Sequence, residues 1–100
     1  MARFFLHPLA ERDLAEISTF IGFERKSPKA ACRFIDEIEE KFEFYARFPE
    51  LGESRQALGD HVRWFPFRKK YVVVYRVLES GIDILRVLHG RDYPLLFPQG

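Results

Sequence analysis

Apolar residues recur with a helical period in the first half of the chain and a strand period in the second. Residues 3–7 (Arg-Phe-Phe-Leu-His) read as a short strand stopped by Pro8, which is well placed to open a helix. From there to about residue 24, Ala10, Leu14, Ile17 and Ile21 form one apolar stripe. Ser27-Pro28 restarts a helix by supplying a hydroxyl cap and a first-turn proline, and the pattern predicts that this helix runs to about Phe48. At about 100° per residue, Ala30, Ala31, Phe34, Ile35, Ile38, Phe42, Tyr45 and Phe48 fall within an arc of about 160°, and Phe44 falls outside it. Pro49 and Gly52 end the helix. A polar connection over 53–60 leads to a strand, Val62 onward, that should stop near Pro66. The run Tyr71–Leu78 has the composition of a central strand covered on both faces, and Glu79-Ser80-Gly81 turns it into the next strand, Ile82–Leu88.

The order is β-α-α-β-β-β. The helices are joined by a few residues and should form a hairpin packed on one face of an antiparallel sheet, an α+β arrangement. One hundred residues suit a single domain over 1–100, and 47% hydrophobic content supports a packed core. Eleven phenylalanines are many for so small a core, so some rings should remain uncovered and mark a partner site. The lone Cys32 excludes an internal disulfide and points to a reducing cytoplasm. No apolar run is long enough for a bilayer, so no membrane partner is expected. A net charge of +1 is low for an autonomous nucleic-acid binder, although the segment from Arg63 to Arg91 is locally basic and 35–60 is acid-rich.

Candidate chemistry is sparse. His7, His61 and His89 lack metal-ligand spacing, and there is no phosphate-binding glycine loop, so no metal, cofactor or small-molecule substrate is expected. Arg63, Arg86 and His89 could serve phosphodiester cleavage, the arginines as phosphate forks and His89 as proton carrier. The competing reading is structural. His89 would fix a strand exit, and Arg76 and Arg86 would pair with an acid such as Asp83 or Asp92. With a three-residue hairpin loop Arg76 and Arg86 share a face; with a two-residue loop they lie on opposite faces. Arg68-Lys69-Lys70 reads as a solvated basic turn.

Five segments in order carry a family likeness: Pro8-Leu9-Ala10-Glu11-Arg12-Asp13-Leu14, Ser27-Pro28-Lys29-Ala30-Ala31, Phe48-Pro49-Glu50-Leu51-Gly52, Val62-Arg63 with Phe65-Pro66, and Tyr71–Val77 with Ile82–Gly90. Through them the chain resembles the ParE branch of the RelE/ParE toxins. It departs from the family pattern in that Arg91-Asp92 follows His89-Gly90 with no intervening residue. The resemblance implies the toxin of a type II toxin-antitoxin system, a non-enzymatic inhibitor of DNA gyrase held by a ParD-like antitoxin. Any binding of operator DNA would pass through the antitoxin. On this reading Phe20, Phe23, Phe44 and Phe48 line a groove for an antitoxin helix. Arg63, Trp64, Arg76, Arg86, Arg91, Tyr93, Leu95, Leu96 and Phe97 are the expected target contacts. Two alternatives stay open: a ribosome-dependent messenger-RNA endoribonuclease of RelE type using Arg63, Arg86 and His89, and a degenerate toxin that only binds its antitoxin.

Overall fold

The structure is a computed structural model that describes residues 3–92. The expected helices are present. α1 spans Pro8–Glu24, and the His7 ring nitrogen accepts the Leu9 amide at its start. α2 spans Pro28–Arg47, with the Ser27 hydroxyl accepting the Ala30 amide. These caps satisfy first-turn amides that have no partner within the helix. Phe48 ends α2 with φ −129°, which takes its ring off the helical arc and leaves it exposed. The chain then makes a 3-10 turn over Pro49–Leu51.

Five strands form one sheet. They are β1 (Arg3–Leu6), β2 (Glu53–Ser54), β3 (Val62–Phe67), β4 (Tyr71–Leu78) and β5 (Gly81–His89), in the order β1-β5-β4-β3-β2. The meander β3 to β5 is antiparallel, as the sequence predicts, and β2 extends it in the same sense, whereas β1 joins β5 in parallel, so the whole sheet is mixed. Parallel pairing needs a long crossover, and here the helical hairpin and the meander supply it. The segment read as a polar connection contains the two-residue β2 and a 3-10 turn at Gln56–Leu58. β3 continues through Pro66 to Phe67. Its outer side is paired with β2 only at Arg63 and Trp64, so a residue without an amide proton is tolerated at Pro66.

The hairpin loop is the two residues Glu79-Ser80, because Gly81 already pairs with Leu78. The register then shifts. Tyr75 faces Ile84 and Val74 faces Arg86, which leaves Leu85 as a bulge. The extra residue brings Arg86 opposite Val74, two positions from Arg76, so loop length alone does not decide how these arginines relate.

The core lies between the helices and one sheet face. Ala10, Leu14 and Ile21 of α1 and Phe34, Ile38 and Phe42 of α2 pack on Phe65, Val73, Tyr75, Ile82, Ile84 and Val87. Each fully buried ring or aliphatic chain contributes about 1.5–3 kcal/mol relative to exposure. The other face carries a smaller cluster of Val62, Val74 and Leu88, flanked by Leu58, Trp64, Val72 and Leu85.

Candidate functional site

Two of the arginines expected to contact the target, Arg63 and Arg86, are bonded into the fold in separate places. The Arg63 guanidinium donates to the Glu50 carbonyl at 3.2 Å and the Gly52 carbonyl at 2.7 Å, holding the turn that follows α2. Arg86 makes a two-pronged ion pair with Asp13 of α1, with its Nε at 2.8 Å and its second nitrogen at 3.0 Å. This hydrogen bond is the leading reason that the Arg86 pKa is raised. The same Asp13 carboxylate accepts the Val87 amide at 2.9 Å. β1 last pairs with β5 at Ile84, so Asp13 takes over the outer edge of β5 just past the bulge. The partner of Arg86 is therefore Asp13, not Asp83. Arg76 is exposed and pairs in register with Asp83 and Val62.

His89 is half-buried. Its Nδ1 accepts the Arg91 amide at 3.5 Å, and its ring stands edge-on to Tyr71 at 5.7 Å. It faces Tyr71 across β4, whereas Arg63 faces Tyr75. Four residues of strand, about 13 Å, separate the two levels. Arg63, Arg86 and His89 do not converge on one position. Trp64 is half-buried beneath the Arg55 guanidinium, which lies 5.4 Å from its ring centre. Arg91 is exposed, and Tyr93, Leu95, Leu96 and Phe97 lie outside the described residues.

The four phenylalanines assigned to one groove form two patches. Phe20 and Phe23 are 61% and 80% exposed and share a shallow hollow with Ala15, Glu16 and Thr19. This patch lies at the hairpin turn, where the Ser27 amide bonds the Gly22 carbonyl. Phe44 and Phe48 pack together at 5.4 Å near the far end of α2, beside the exposed Leu51. From Pro28 to Phe44 the helix rises about 24 Å, so the two patches mark opposite ends of the hairpin.

At the second patch Tyr75 plays a part that no signal in the local sequence marks. The Tyr75 hydroxyl donates to the Pro49 carbonyl, and a Cβ on Gly52 would overlap that hydroxyl. Tyr75 and Arg63 thus fix the turn that presents Phe48 and Leu51. Burial pushes the Tyr75 hydroxyl from 10.0 up to about 12, against the lowering influences of the Gly52 backbone and Arg63. The raised pKa means that the folded state keeps its proton between pH 10 and 12 while the unfolded chain loses it. Stability is therefore intact below pH 10 and falls as pH rises through that window, by up to about 1.4 kcal/mol per pH unit. Tyr75→Phe should cost about 1 kcal/mol at neutral pH and flatten the alkaline slope. Tyr45 and Tyr71, also raised by burial, should keep a remainder of it. Urea titrations at pH 7 to 11.5 read both effects, and an unchanged alkaline slope in the variant would show that Tyr75 does not govern it.

Among the described residues no cluster of histidine, cysteine and acidic groups could hold a metal, and no helix is long and apolar enough to cross a membrane. What the geometry defines is a small α+β domain. Among the described residues it has a helical hairpin on one sheet face, two exposed aromatic patches, and Arg63 and Arg86 bonded into its own frame. Comparison with known proteins gives the family. The family described as "ParE toxin of type II toxin-antitoxin system, parDE" matches residues 4–94. The curated relative "Toxin ParE3" of Caulobacter vibrioides is 35% identical over 68 residues, covering 68% of this chain and 67% of that protein. The solved structure "Chromosomal ParDE TA system from P. aeruginosa" superposes with a TM-score of 0.71 at 21% identity, over 89% of this chain and 96% of that one. The chain belongs to the ParE toxin family of type II toxin-antitoxin systems.

Proposed function

We propose that this chain is a non-catalytic cytoplasmic toxin that binds and inhibits DNA gyrase and is neutralised by a ParD-like antitoxin encoded beside it. Membership in the ParE family is the ground for the target and the partner. The observation that carries the non-catalytic reading is the state of the cleavage candidates. Arg86 is bound to Asp13, Arg63 is bound to two carbonyls, and His89 lies about four residues of strand from the level of Arg63. General acid-base cleavage of RNA needs a proton carrier and cations around one phosphate, and these groups surround none. The exposed phenylalanines at both ends of the hairpin supply surface that an antitoxin segment would cover, the helix-in-groove mode of recognition. Contact of the toxin-antitoxin complex with operator DNA would run through the antitoxin.

Induction in cells, with DNA breaks and messenger integrity followed in parallel, tests this. Gyrase-dependent breaks with intact transcripts are expected, together with full toxicity of His89→Ala and relief by the antitoxin. Ribosome-dependent cuts within codons that vanish in His89→Ala would replace this reading with the endoribonuclease one. Growth unaffected by induction would leave only antitoxin binding.

A further inference from the structure

The sheet face turned away from the helices carries an apolar cluster of its own. Val62 and Trp64 of β3, Val72 and Val74 of β4, and Leu85 and Leu88 of β5 come together there. Among the described residues no side chain of α1 or α2 joins this cluster. The far face of a sheet in a two-layer domain is ordinarily open to water. Here Val62, Val74 and Leu88 are no more than 5% exposed. An apolar cluster of this depth calls for a covering segment.

The chain supplies one. β5 ends at His89, and the Gly90 amide then bonds the Lys70 carbonyl at 2.7 Å, beside the start of β4. Residues 93–100, which follow the described residues, read Tyr-Pro-Leu-Leu-Phe-Pro-Gln-Gly and contain no charged side chain. Fully extended, a segment of this length reaches about 26 Å. The path from Gly90 to Trp64 crosses two strand spacings and runs along four residues, about 16 Å in all. Pro94 and Pro98 have no amide proton. The segment is therefore poorly suited to lengthening the sheet at an edge and better suited to laying side chains across a face.

We propose that residues 93–97 fold back over the outer sheet face and seat Leu95, Leu96 and Phe97 against Trp64, Val72 and Leu85. A tethered segment competes for this face at an effective concentration of millimolar order, which a second copy of the chain at ordinary working concentrations does not match. The other apolar surface near the exit is Phe20, which shares its cleft with Arg25, Arg68 and Lys70. An uncharged segment gains little from that charged setting and more from the continuous cluster on the sheet. Docking gathers Trp64 and the tail residues expected to contact the target onto one surface. That consequence rests on the toxin reading above, whereas the docking itself does not.

Trp64 is the single tryptophan, so its emission reports on the cover directly. In the full chain, Leu96→Ser/Phe97→Ser should red-shift that emission, raise its quenching by acrylamide roughly twofold and lower the melting temperature by at least about 4 °C. Phe20→Ser/Phe23→Ser should leave the emission at its wild-type position. In the wild-type chain, nuclear Overhauser contacts should join the Phe97 ring to the methyl groups of Val72 and Leu85, a measurement that stands even where a variant fails to fold. Unchanged Trp64 emission in a folded tail variant, or a wild-type Phe97 ring without those methyl contacts, would overturn the proposal. So would shielding of Trp64 that is lost on dilution, which would give the face to a second copy.

Discussion

Replacing Gly81 by alanine should detach β1 from the sheet and cost at least about 3 kcal/mol. Gly81 has a φ of 154°, which side chains rarely adopt, and an added Cβ would overlap the carbonyl oxygen of Arg3. Neither problem can be relieved by rotating a side chain, because the obstructing atoms are backbone. The Arg3 amide also bonds the Ser80 carbonyl at 3.1 Å, so the strand cannot back away without losing its first rung. Loss of β1 would pull Phe4 and Leu6 off the core, including the contact of Phe4 with Phe42 at 5.3 Å. At about 4–8 °C per kcal/mol for a domain of this size, melting should fall by at least about 12 °C. Hydrogen exchange should show β1 amides unprotected while those pairing β4 with β5 persist. A stable Gly81→Ala protein with β1 still protected would mean that the close approach is not required.

The second large effect centres on Asp13. Its carboxylate accepts three hydrogen bonds, two from Arg86 and one from the Val87 amide. The Asp13 side chain is 11% exposed and that of Arg86 29% exposed, so the pair is screened less than a surface bridge but is not sealed from water. Asp13→Ala should cost about 2–3 kcal/mol, because it strands a charged group and an edge amide together. Arg86→Ala should cost less, since Asp13 keeps the amide bond. A double-mutant cycle read by urea unfolding should give a coupling of about 1 kcal/mol or more. Coupling near zero would reduce the ion pair to a bystander. In cells, Arg86→Ala should lower toxicity only in proportion to lost stability, which separates a framing arginine from one that touches the target.

The helices and their caps were legible because their determinants are local. Ser27 lies three residues from the amide it accepts, and Pro8 and Pro28 mark helix starts on their own. The parallel placement of β1 was not legible, because its partner β5 lies more than 70 residues away and a four-residue strand carries no direction signal. The bulge at Leu85 depends on how β1, β4 and α1 compete for the edges of β5, which no local pattern records. Arg86 illustrates the same limit. Its acid was sought nearby at Asp83 or Asp92, whereas the fold supplies Asp13 from the opposite end of the chain. Phe44 could be picked out by its angle on the helix, and it is exposed. That Phe20 and Phe44 lie at opposite ends of the hairpin emerges only once the helices are antiparallel. The basic turn Arg68-Lys69-Lys70 reads as solvated from its composition, and all three residues are exposed.

The outer margin of β3 sets how this chain meets others of its kind. Past Trp64 the margin carries Pro66, which offers no amide proton to an incoming strand. An extended segment arriving there finds a broken ladder of donors, so strand addition is disfavoured along this margin. Exposed phenylalanines at the two ends of the hairpin can then recruit a partner while this stretch of the sheet discourages a strand from joining it.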